Sequence, residues 1–122
     1  MRSISTAILL SLFFAASFTF AEVTYGGGDG ASIESAVIIE NAADHFEGVN
    51  AEYVWLETQF GPQGEKWDRS EQSLIEEGDR FYDVLKVEFS GSTAGYKKGD
   101  VAYFYFDITE FFRATLEEFF KE

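Results

Sequence analysis

The chain has 122 residues, a formal net charge of −13 at pH 7 and no cysteine. The missing cysteines exclude disulfides, thiolate catalysis and lipid attachment to a cysteine. The acidic charge repels nucleic acid and anionic lipid headgroups, so we expect no nucleic-acid partner and favour a cationic one. A simpler explanation stays open, namely that the acidic residues only keep an aromatic-rich domain soluble.

The first 21 residues have the order that is typical of a secretory signal peptide. Arg2 precedes an apolar run over residues 7–20, and the small residue Ala21 precedes Glu22. The run is shorter than the roughly 20 apolar residues that a membrane-spanning helix requires, which disfavours the alternative of an uncleaved anchor. We therefore predict a cleaved N-terminal signal helix, a periplasmic or extracellular location, and no stable membrane insertion after cleavage. Removing 21 of the 122 residues leaves 101, which suffices for one domain.

The mature chain begins with a Gly-rich arm at residues 22–30, which we interpret as a loop or mobile arm, and continues as a single domain over residues 31–122. A short apolar run at residues 36–39 predicts a first strand. A helix follows, with Asp44 as the expected N-cap and Gly61 as its end. Its apolar residues are spaced three, four, three and four apart, and we expect this stripe to pack in the core: Phe46, Val49, Tyr53, Leu56 and Phe60.

Three more strand patterns and a final helix complete the chain. Residues 67–76 are polar enough to predict an edge strand, and a turn at Gly78 leads into residues 81–89. A Gly- and Lys-containing connection joins these to an aromatic strand at residues 101–108. Thr109 is the expected start of the C-terminal helix.

The predicted fold is α+β, with the order β-α-β-β-β-α and an antiparallel meander packed against one long helix. This element order is also that of cystatin-like and nuclear-transport-factor-like architectures. Because the comparison depends on element order alone, it implies no function.

Three segments carry a resemblance to a known group of proteins. They have the forms GGDG-x-S-x-E at residues 27–34, EGV-x-AEY-x-WL at residues 47–56, and YFDIT-x-FF at residues 105–112. Together they resemble recurring segments of small exported bacterial proteins of unassigned function. The resemblance implies one domain that begins near Gly26, and it implies no catalytic residue. The chain beyond Arg113 is longer than that group's pattern.

One face of the predicted hairpin is the candidate binding surface, with Tyr82, Val84, Tyr103 and Tyr105 as its contacts. Tyrosine suits interfaces because its ring buries apolar area while its hydroxyl stays hydrated. The alternative is that the C-terminal helix covers this face, which is the ordinary situation of an apolar sheet face.

Asp83 is the most informative acidic residue, because it shares the two-residue phase of Phe81 and Leu85. We expect that face to be buried, and a buried carboxylate is costly unless it is paired or hydrogen-bonded. Asp83 would then either bond a backbone N–H or Arg80, or form the floor of a pocket between helix and sheet.

Other candidate chemistry is weak. Asp29, Ser32 and Glu34 offer oxygen atoms to Ca²⁺, but their spacing differs from that of an EF-hand loop. His45 is the sole histidine, which is too few for a structural zinc site or a recognisable nucleophilic triad. The sequence predicts no catalytic residue, no metal site and no cofactor.

Taken together, these patterns predict an exported, non-enzymatic interaction or ligand-binding domain of unknown partner. The alternative is a small envelope hydrolase that uses paired carboxylates, since a glycosidase needs only two well-placed acids. The 22 Asp and Glu residues form pairs by chance, so the sequence does not identify such a pair.

Overall fold

The structure is a computed structural model that describes residues 22–121. The predicted signal helix, residues 1–21, lies outside the described residues. The fold is α+β, as predicted. Its strands are β1 (Thr24–Gly27), β2 (Val37–Glu40), β3 (Trp67–Glu77), β4 (Arg80–Phe89) and β5 (Val101–Asp107), and its helices are α1 (His45–Phe60) and α2 (Thr109–Phe119). Within this range, no helix combines the length and the hydropathy that crossing a bilayer requires.

The strands form one mixed sheet in the order β1-β2-β5-β4-β3. The predicted meander of β3, β4 and β5 is antiparallel and places β3 at an edge, as expected. The pairing of β2 with β5 is parallel and was not predicted. In β3 the register shifts between Arg69 and Glu71, and such a bulge, together with charged side chains, protects an edge strand from pairing with other chains.

Part of the Gly-rich arm is a strand, which corrects the interpretation of residues 22–30 as a loop or mobile arm. β1 pairs antiparallel with β2, and Tyr25 lies opposite Ile39. Gly27 has a φ of 77°, and a Cβ atom there would lie 2.1 Å from the Ala36 carbonyl oxygen. A glycine is therefore required where the chain leaves β1.

Helix α1 has the predicted boundaries, and most of the predicted stripe faces the core: Leu56 and Phe60 are buried, and Val49 and Tyr53 are partly buried against it. Asp44 accepts a 2.8 Å bond from the Glu47 N–H, and Gly61 follows the last turn with a φ of 92°. The prediction that Phe46 packs in the core was wrong, because its side chain is 77% exposed. The buried residues of α1 are Gly48, Ala51, Glu52, Leu56 and Phe60. Glycine and glutamate carry no apolar signal, which is why the sequence pattern did not include Gly48 and Glu52.

The core lies between α1 and one face of the sheet, which we call the inner face. On the inner face, the rings of Phe60 in α1 and Phe89 in β4 are 5.2 Å apart. Helix α2 packs at one end of the same face, where Phe112 lies 4.7 Å from Phe81, ring centre to ring centre. Both helices therefore lie on the inner face, and within residues 22–121 neither covers the opposite, outer face.

Candidate functional site

The outer face of the sheet carries the residues predicted as contacts. Tyr82 and Val84 in β4 lie opposite Asp107 and Tyr105 in β5. Farther along, Lys86 lies opposite Tyr103, and Glu88 lies opposite Val101. We call Tyr82, Val84, Val101, Tyr103 and Tyr105 the tyrosine face. The structure thus brings all four predicted contacts together and adds Val101 to them.

The members of the tyrosine face differ in accessibility. Tyr103 and Val101 are 50% and 47% exposed, and Tyr105 is half-buried. Tyr82 and Val84 are only 8% and 7% exposed, so they form the floor of the surface and are not its main contacts. Burial raises the pKa of the Tyr82 hydroxyl, which therefore stays neutral.

Charged side chains surround the tyrosine face. Arg80 binds Asp107 through two nitrogen atoms, at 2.9 and 2.8 Å. Lys86 pairs with Glu71 at 3.4 Å, and this neighbouring carboxylate raises the pKa of Lys86. Both basic residues of the rim are thus already paired, whereas the Glu88 side chain is exposed. The rim is acidic on balance, which favours a partner with basic residues around an apolar centre.

Asp83 is buried on the inner face, as its phase predicted, with 6% of its surface exposed. Arg80 is not its partner, because that side chain binds Asp107 on the outer face. Instead, Asp83 faces Glu52 of α1, which has no exposed surface. The pKa of Glu52 is raised to about 11, chiefly by burial, with smaller contributions from hydrogen bonding to Asp83 and from the negative charge of Asp83.

Glu52 is the buried polar residue that the sequence reasoning missed. No N–H or hydroxyl group of the described chain donates to either of its carboxyl oxygens. A protonated Glu52 that donates its hydrogen to the Asp83 carboxylate explains how two acids are buried side by side. Residues 48, 52, 56 and 60 are each four apart and all buried, so this spacing is the pattern that points to Glu52.

The pair does not have the geometry of a hydrolytic site. A glycosidase needs two carboxyl groups that reach the substrate from either side of the scissile bond. Glu52 is fully buried and Asp83 nearly so, and a substrate has no access to either in this conformation. The geometry therefore gives no support to the paired-carboxylate hydrolase.

Two of the three calcium candidates, Asp29 and Ser32, are engaged in local turns. Asp29 accepts a 3.0 Å bond from the Ala31 N–H, which is the main cause of its lowered pKa. The Ser32 hydroxyl lies 3.1 Å from that of Ser35, and Glu34 is exposed. Among residues 22–121, no three His, Cys, Asp or Glu side chains are grouped as metal ligands would be.

His45 starts helix α1, and its ring centre lies 5.7 Å from that of Phe111 in an edge-on arrangement. This contact gives the histidine a packing role between the two helices.

No protein-family model, curated protein or solved structure matches this chain. The resemblance to exported bacterial proteins therefore remains a prediction from three sequence segments.

Proposed function

We propose that the protein is an exported, non-enzymatic interaction domain whose tyrosine face binds a protein partner with a basic surface. The observation that carries the proposal is the exposure of Tyr103 and Val101 at 50% and 47%, on a sheet face that neither described helix covers. The export rests on the signal-peptide pattern of residues 1–21.

The composition of the surface supports this function. Tyrosine rings bury a large apolar area at a low cost in conformational entropy, and they are enriched in protein interfaces. Tyr103 and Tyr105 stand next to the buried Tyr82 and Val84, so the surface has a firm apolar floor. Lys86 and Arg80 are neutralised by their own carboxylate partners, which leaves the acidic rim to attract a basic partner.

The test is site-specific photo-crosslinking in cells that produce the protein. A photoreactive amino acid at position 103 should form a covalent adduct with one protein partner. The matched control is position 74, because Leu74 is 54% exposed but belongs to the inner phase of edge strand β3. Adducts that are the same at both positions, or no adduct at position 103, would contradict the proposal.

Binding by the identified partner is then measured with purified proteins. Tyr103→Ala should weaken the affinity about tenfold or more, since exposed aromatic anchors dominate interfaces, and added salt should weaken it further. Leu74→Ala should leave the affinity unchanged. Both variants should melt within a few degrees of the wild type, because each removes an exposed side chain. An affinity that does not change in Tyr103→Ala would refute the role of the tyrosine face.

A further inference from the structure

A second surface lies on the other side of the sheet, where the end of α1 meets two loops. It is an open cleft of about 540 Å³. We call it the aromatic cleft, and its wall residues that matter here are Asp29, Trp55, Gln59, Phe60, Tyr96 and Phe104. Phe104 belongs to the inner face, so the aromatic cleft is separate from the tyrosine face.

The aromatic rings of the cleft are held in place by their packing. Trp55 lies 5.9 Å from Phe104 and 5.6 Å from Phe106, ring centre to ring centre. Tyr96 stacks on Phe89 at 4.2 Å with the ring planes 2° apart. Ring faces that are fixed before a ligand arrives cost little entropy on binding.

The turn that carries Tyr96 is also held in place, by hydrogen bonds. Thr93 and Tyr96 exchange two backbone hydrogen bonds of 3.0 and 2.8 Å across a tight turn. Both central residues of that turn, Ala94 and Gly95, have positive φ angles of 49° and 90°. The Thr93 hydroxyl donates a 3.2 Å bond to the Phe60 carbonyl, which ties the turn to the end of α1.

The charge of the cleft has one sign. Among the described residues that line it, Asp29 carries the only charge. The Ala31 N–H holds one of its oxygens at 3.0 Å and lowers its pKa, so the carboxylate is ionised at neutral pH and can accept further bonds. Lys97 and Lys98 follow Tyr96 in the chain, but they do not line the cleft.

We infer that the aromatic cleft binds an alkylammonium group, with Trp55 and Tyr96 contacting the cation and Asp29 balancing its charge. Aromatic faces attract cations through the ring quadrupole, and the attraction grows as the cation loses water. The overall charge of −13 raises the local concentration of any cationic ligand. The group can come from a small-molecule ammonium compound or from the side chain of a lysine, since both present a cationic nitrogen on an alkyl chain.

Tryptophan fluorescence of the purified mature protein gives a direct assay. Trp67 is fully buried, so a change on ligand addition reports mainly on Trp55. Choline tests a small-molecule quaternary ammonium, Nα-acetyl-lysine methylamide tests a lysine side chain, and 3,3-dimethylbutan-1-ol is a neutral analogue of choline. We expect at least one cation to bind saturably. The affinity for the neutral analogue should be lower by about tenfold or more.

Single substitutions test whether the cation binds in the aromatic cleft. Asp29→Asn should weaken cation binding about fivefold, as loss of a partly exposed ion pair implies, and Tyr96→Leu by a similar factor. Glu34→Gln is the matched control, because it removes a negative charge from the same loop without touching the cleft. Melting curves identify any variant that fails to fold, and Asp29→Asn changes an exposed side chain that should not disturb the fold.

Three results would overturn the inference. One is the absence of saturable binding by either cation, and another is equal affinity for choline and its neutral analogue. The third is an Asp29→Asn variant that binds as tightly as Glu34→Gln. Binding of an N-acetylglucosamine oligomer without binding of either cation would assign the cleft to a neutral sugar instead. None of these outcomes bears on the tyrosine face, which position 103 tests independently.

Discussion

Replacing Glu52 by glutamine should stabilise the protein at neutral pH. Burial against Asp83 raises the pKa of Glu52 from its ordinary value of 4.5 to about 11. At pH 7 the folded protein therefore keeps this carboxyl protonated, whereas the unfolded chain ionises it. Glutamine has nearly the same shape, is neutral at every pH, and carries an amide N–H that can donate to the Asp83 carboxylate.

The size of the effect follows from the difference between the solution pH and the ordinary pKa. Protonating a group with an ordinary pKa of 4.5 at pH 7 costs about 3 kcal/mol, at about 1.4 kcal/mol per pH unit. The folded wild-type protein bears this cost and the glutamine variant does not. Because an amide donor forms a weaker bond to Asp83 than a carboxyl O–H does, we expect a net gain of about 1–3 kcal/mol.

The sign of the pH dependence follows from the same proton. Between pH 4.5 and about pH 11, the folded state holds one more proton at Glu52 than the unfolded state does. The free energy of unfolding therefore falls as the pH rises, by about 1.4 kcal/mol per unit. The contribution of Glu52 is fully present below pH 4.5 and fully lost above about pH 11. Repulsion within a chain of net charge −13 acts in the same direction.

Urea unfolding at pH 5 and pH 8 measures both effects. Glu52 alone should lower the wild-type free energy of unfolding by about 4 kcal/mol over this interval, and Glu52→Gln should lack that component. The control is Glu88→Gln, which makes the same chemical change at an exposed position of β4. Parallel pH profiles for wild type and Glu52→Gln, or a variant less stable than wild type at pH 8, would refute a neutral, buried Glu52.

Two further predictions concern the junction of α1, β5 and α2. Gly48→Ala should lower the melting temperature, because the added Cβ would lie 2.5 Å from the Phe111 ring. The overpacking costs about 1–3 kcal/mol, which outweighs the gain of about 1 kcal/mol in helix propensity. A higher melting temperature would contradict this packing. Asp107→Asn should lower the free energy of unfolding in urea by about 2–3 kcal/mol, because the buried carboxylate binds both Arg80 and Thr109. Unchanged stability would show that these bonds contribute nothing.

Features that depend on neighbouring residues were predictable from the sequence. Asp44 and Gly61 mark the ends of α1 through local capping, which acts within one helical turn. The burial of Asp83 followed from its phase in β4. These predictions needed no knowledge of how the chain packs.

Features set by distant contacts were not predictable. The burial of Tyr82 and Val84 on the outer face was not predicted, because strand periodicity does not show how closely neighbouring side chains pack over a strand. The burial of Glu52 depends on Asp83, which lies 31 positions away in the printed sequence. The pairing of β1 with β2 required the glycines of a segment whose composition is typical of a loop.

The position of α2 decides which face of the sheet is open to a partner. Asp107 accepts bonds from the Thr109 N–H at 3.0 Å and from its hydroxyl at 2.6 Å, which fixes the turn from β5 into α2. The absent side chain of Gly48 leaves room for Phe111, so the helix is held against α1 on the inner face. The C-terminal helix, which the sequence offered as the alternative cover for the tyrosine face, thus packs on the opposite side. The exposure of Tyr103 therefore depends on the anchoring of α2 on the inner face.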